Sequence, residues 1–122
     1  MTINEAIDAL DMGSNNAFSR QEKISWLSRL DSLVQKELVD THSGGQPTFA
    51  GYTTETDPQT VLLVPAPWDE IYLRYMQAQM DYLSGDMTRY ANAAALYNSC
   101  FAAYRNHFNR THCPKGQQWQ YF

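Results

Sequence analysis

Apolar residues near the start of the chain recur at helical spacing. Ile3, Ala6, Ile7 and Leu10 fall three, one and three residues apart, and Met12-Gly13 closes the run. Thr2 and Glu5 form a capping box at its head: the hydroxyl takes one free N–H of the first turn and the carboxylate returns to another. Ser14-Asn15-Asn16 reads as a turn, after which Ser19 and Glu22 repeat the box ahead of a longer stripe. That stripe is Ile24, Leu27, Leu30, Leu33, Val34 and Leu38, with Trp26 on its flank. Arg20, Lys23, Arg29, Asp31, Lys36, Glu37 and Asp40 mostly fall outside it, which predicts a one-faced amphipathic helix ending at His42-Ser43-Gly44-Gly45.

The pattern then changes period. Thr48-Phe49-Ala50-Gly51-Tyr52 and Thr60-Val61-Leu62-Leu63-Val64 are rich in β-formers and flank a polar, turn-forming stretch, residues 53–59. A β-hairpin or extended arm over 47–64 is predicted, supported by the helices or by another subunit because two strands alone are marginal. Pro65-Ala66-Pro67 ends the arm, and Pro67 suits the first position of a third helix with Asp69 and Glu70 in its first turn. Ser84-Gly85-Asp86 breaks the chain and caps a fourth helix, making the last two helices an antiparallel pair. Along the fourth helix Tyr90, Ala94, Tyr97, Phe101, Tyr104 and Phe108 recur at alternating steps of four and three, an aromatic seam at heptad spacing. Arg89, Asn92, Ser99, Asn106 and Arg110 lie opposite. The expected fold is therefore mainly α: a bundle of about four helices over residues 1–113, an arm inserted between helices two and three, and an extended tail over 114–122.

Charge sharpens this division. All thirteen acids lie at or before Asp86, where they face five bases for a balance of −8. From Met87 onward there are four bases and no acid, so the second part carries +4. Such a split favours packing of the C-terminal part on an acidic surface, its own or a neighbour's. Eight tyrosines add large contact area with a polar tip, which suits interfaces as well as a core. No apolar run reaches the length of a membrane span, and the polar, acidic start of the chain is unlike a secretion signal, so a cytoplasmic site of synthesis is expected.

Candidate chemistry changes little. His107, His112, Cys100 and Cys113 form no CxxC, HxxxH or HExxH pattern, so no metal site is expected. On one helix the two cysteines would stand about 20 Å apart, beyond bridging range. Asp69-Glu70 is explained by helix capping and Glu55/Asp57 by a solvated loop; no phosphate loop, nucleophile elbow or Cys/His pair occurs. Neither catalysis nor a cofactor is expected, and four basic side chains spread along the C-terminal part are a weak footprint for nucleic acid. Residues 115–122 end in Trp119, Tyr121 and Phe122, aromatics that would be costly to leave in water.

Several segments resemble one group of small proteins encoded in the head–tail region of siphophages and prophages of Gram-positive bacteria. They are Phe49-Ala50-Gly51-Tyr52-Thr53, the run from Leu62 to Tyr72, Tyr82-Leu83-Ser84-Gly85-Asp86, Arg89-Tyr90-Ala91-Asn92, Leu96-Tyr97-Asn98, and Tyr104 with Phe108 to His112. The group is similar to head–tail connector (adaptor) proteins. The resemblance implies a virion protein of the neck, assembled in the host cytoplasm as a homo-oligomeric ring of twelve copies under the portal. The ring would extend the DNA channel without sequence-specific binding and dock the stopper or tail terminator. It further implies that Lys115, Trp119, Tyr121 and Phe122 anchor on the portal. Phe49, Tyr52, Arg89, Arg105 and Arg110 would then make the contacts between copies. Another neck or tail-completion role, or a small regulatory protein binding a partner protein or nucleic acid, is the alternative.

Overall fold

A computed structural model of the chain describes residues 1–13, 16–39 and 50–111. Four α-helices order these residues: α1 (Ile3–Gly13), α2 (Arg20–Val34), α3 (Glu70–Leu83) and α4 (Met87–Thr111). A single π-helical turn, Gln35–Val39, continues α2. Both capping boxes form. Thr2 Oγ1 accepts from the Glu5 N–H at 3.1 Å while Glu5 accepts from the Thr2 N–H at 3.0 Å. Ser19 and Glu22 do the same at the head of α2. The third helix begins at Glu70 rather than at Pro67, which lies in a turn over 66–69.

The helices run up and down. Asp11, near the end of α1, pairs with Lys23 near the start of α2 at 2.6 Å, and Asp31, late in α2, reaches Tyr72 early in α3. The turn between α3 and α4 uses Gly85 at φ +80°, a left-handed conformation that favours glycine, and Asp86 accepts from the Arg89 N–H to cap α4. Ring pairs Tyr75–Tyr97 and Tyr82–Tyr90 show the antiparallel register directly, since each step back along α3 is a step forward along α4.

The core joins Ile3, Ala6, Ile7 and Leu10 of α1 to Ile24, Trp26, Leu27, Leu30 and Val34 of α2. Ile71, Tyr72, Met76 and Met80 of α3, Phe101, Tyr104 and Phe108 of α4, and Tyr52, Leu62 and Val64 from the segment between α2 and α3 complete it. Leu33, expected in the α2 stripe, is instead partly exposed, and the side chain of Leu38 lies outside the described residues. Two charged residues expected outside the stripe are buried: Lys23, and Asp31 at 0% exposure.

The expected β-hairpin is not seen among the described residues; 47–49 lie outside them. Residues 50–69 instead form an irregular strap with one isolated bridge, Val61 to Thr2. The reason is where its backbone groups find partners. The carbonyls of Pro58 and Thr60 accept from the Asn4 and Ile3 N–H groups, closing free donors at the start of α1, and the Leu62 N–H donates to the Met1 carbonyl. The N–H groups of Leu63 and Val64 go to side chains of α2 and α3. With those donors engaged by the bundle, the strap has no need of a second strand.

Candidate functional site

Two features stand out in the bundle, one sealed and one open. The sealed one is a carboxylate cluster. Asp31 Oδ2 accepts from the Tyr52 hydroxyl at 2.5 Å and from the Leu63 N–H at 3.1 Å, and Oδ1 accepts from the Tyr72 hydroxyl at 2.7 Å. Tyr72 is itself polarised, because its oxygen accepts from the Val64 N–H at 2.7 Å. That bond fixes the direction of the Tyr72 proton toward Asp31. Burial raises both tyrosine hydroxyls far out of the range in which they ionise, and the neighbouring carboxylate adds to the effect. With Asp31 fully enclosed, no substrate reaches the cluster; it ties the strap to α2 and α3.

Burial also pushes the Asp31 carboxyl above the ordinary carboxylate range, against the pull of its three donors. Between the ordinary value and the raised one, the folded chain holds a proton that the unfolded chain has lost. The stability from this group is therefore greatest in acid and falls as pH rises through that window, by at most about 1.4 kcal/mol per pH unit. Relative to Asp31→Asn, which does not titrate there, the unsubstituted chain should lose stability from about pH 4 upward in urea melts. A difference that stays flat with pH would show that the three donors offset the burial.

The open feature is the outer face of α4. Phe101, Tyr104 and Phe108 of the aromatic seam turn inward, and Tyr97 packs partly buried on Tyr75. Trp68 of the strap stacks on His107 at 5.0 Å and lies 6.4 Å from Tyr104, so the second half of α4 rests on the strap. The opposite row is Arg89, Asn92, Leu96, Ser99, Ala103, Asn106 and Arg110, at alternating steps of three and four, and every member is exposed. Leu96 keeps 47% of its surface in solvent. Beyond the start of this row, Tyr82, Leu83 and Met87 are exposed at the tip of the α3–α4 hairpin.

The expected contact residues are divided by this geometry. Arg89 and Arg110 share the outer row. Arg105 stands to one side, its guanidinium 5.3 Å above the Phe101 ring. Tyr52 is buried in its own chain as a donor to Asp31, so its ring is committed to the fold. Phe49, Lys115, Trp119, Tyr121 and Phe122 lie outside the described residues. Cys100 is partly buried, and burial raises its thiol. Among the described residues no group of three or more His, Cys, Asp or Glu converges as a metal site would need, and no helix is long and apolar enough to cross a membrane.

No protein-family model matches the chain, and neither a curated protein nor a solved structure matches it. The geometry therefore stands by itself: a closed core, a sealed polar cluster, and an outer row of α4 left to solvent along its length.

Proposed function

We propose that the chain is a structural component of a phage neck, a head–tail connector that assembles as a ring under the portal, extends the DNA channel and docks the stopper or tail. The observation that carries this reading is the outer row of α4, exposed along its whole length from Arg89 to Arg110, with Leu96 standing among its polar and small members. A helix face free of acids, with an exposed leucine among polar and small residues, is a surface for another macromolecule. The helical architecture and the segments Leu62–Tyr72 and Tyr82–Asp86 that resemble connector proteins supply the class of assembly. The work is mechanical: the protein would hold partners in line and catalyse nothing. The aromatic residues Trp119, Tyr121 and Phe122, with Lys115, are the proposed portal anchor, since interface energy concentrates in buried aromatic side chains.

Co-expression with the neighbouring portal, with and without residues 114–122, followed by native mass spectrometry, tests the reading. A stoichiometric ring on the portal, lost on truncation, is the expected result. A ring that survives truncation would move the anchor to the helices. No association by either form would sink the connector and leave a small binding protein of regulatory type.

A further inference from the structure

The outer row of α4 has a counterpart on the same molecule. Helix α1 buries Ile3, Ala6, Ile7 and Leu10 and turns Glu5, Asp8 and Met12 outward, again at steps of three and four. Met12 is 89% exposed, and α1 contains three acids and no base. Helix α4 contains three arginines and no acid. The two surfaces match in sign, and each sets an exposed apolar side chain seven residues from a charge: Leu96 from Arg89, and Met12 from Glu5. Seven helical residues span about 10.5 Å, so a parallel α1 laid on α4 sets Met12 on Leu96 and Glu5 opposite Arg89. Asp8 then falls between them, beside the neutral Asn92.

The fold keeps these surfaces from meeting within one chain. Helix α1 borders α3 along Leu73 and Gln77, and α4 packs along Tyr75 and Tyr82. At about 100° per residue those two rows stand on roughly opposite sides of α3. Glu5 also serves the capping box of α1, whereas Arg89 and Asp8 are only lightly engaged at home. Arg89 lies 3.8 Å from Asp81 with most of its side chain in solvent, and Asp8 accepts only from the Asn4 amide at 3.3 Å among the bonds described.

We infer that the outer row of α4 from Arg89 through Asn92 to Leu96 is the seat for α1 of a second copy of this chain, through Glu5, Asp8 and Met12. The contact is head-to-tail. Each copy uses one face and leaves the other open, so association continues until the rotation closes a ring. This inference rests on the self-assembling connector reading and gives it its subunit contact.

The test uses the full chain co-expressed with the portal, in three forms: unsubstituted, Asn92→Glu/Leu96→Glu, and Asp8→Lys/Met12→Lys. All four positions are exposed, and unchanged thermal melts of the separate chains serve as the folding control. In native mass spectrometry the unsubstituted chain is expected to give multimers, and each variant alone to lose every contact between copies. An equimolar mixture of the two variants should restore multimers in strict alternation, because each altered face then meets its complement. Raised salt should weaken both assemblies. Multimers that persist in both variants would overturn this contact while leaving the connector reading intact. Absence of multimers from the unsubstituted chain, with the portal present, would overturn both. Loss in each variant without rescue in the mixture would also overturn the pairing of α1 with α4.

Discussion

Replacing Asp31 by alanine is expected to cost about 3–4 kcal/mol of folding stability, a large share of the roughly 5–15 kcal/mol that a domain has in total. The change strands three donors at once: the Tyr52 and Tyr72 hydroxyls and the Leu63 N–H. Each buried donor left without a partner costs roughly 1–3 kcal/mol, and relief from burying the carboxyl offsets part of the sum. Asp31→Asn should cost less, about 1–2 kcal/mol, because its carbonyl still accepts while its amide faces donors. Urea denaturation at neutral pH reads both. A loss below about 1 kcal/mol for the alanine variant would mean that water or rearrangement replaces the carboxylate, and the strap would not depend on it.

The second large effect concerns which way α4 faces. Phe101→Ala should cost about 3–4 kcal/mol, since its ring is buried between the helices and also carries the Arg105 guanidinium. Leu96→Ala, five residues earlier on the same helix, should change the stability of the isolated chain by less than about 0.5 kcal/mol, because its side chain already meets solvent. Parallel thermal melts at a concentration where the chain is monomeric separate the two. Equal losses would mean that the outer row is covered within the monomer, and no partner could use it. The contrast thus measures whether the face offered for assembly is free.

Much of the bundle could be read from residues close together in the chain. Thr2 with Glu5 and Ser19 with Glu22 act within one turn, so their capping boxes are legible as spacing alone. The aromatic seam was legible for the same reason: a heptad rhythm must present one face. The strap was not. Its β-rich composition records apolar side chains such as Leu62 and Val64 that fill the core, whereas its backbone geometry is set by partners at a distance. Leu63 depends on Asp31, and Val64 on Tyr72. No local rule ties those pairs together. Asp31 carried a signal that its charge obscured, for it stands four residues after Leu27 and three before Val34, on the core row itself. The outer row of α4 was half visible. Its polar members mark the face opposite the seam, but Leu96 and Ala103, which make that face more than a solvated surface, are ordinary helix residues until their exposure is known.

The strap has a further consequence for how the molecule comes apart. Between Pro58 and Trp68 it touches all four helices: the start of α1, Asp31 on α2, Tyr72 on α3, and Tyr104 and His107 on α4. These points gather where α1 and α3 begin and α2 and α4 end, so one end of the bundle is bound like the hinge of a peg. At the other end, among the described residues, the hairpin tip past Tyr75 and Tyr97 is held by α3 against α4 and exposes Tyr82, Leu83 and Met87. Opening is cheapest where few buried groups must separate. The strapped end therefore opens only with the whole domain, while the hairpin tip, closed by the Gly85 turn and the Tyr82–Tyr90 pair, has fewer buried groups to separate.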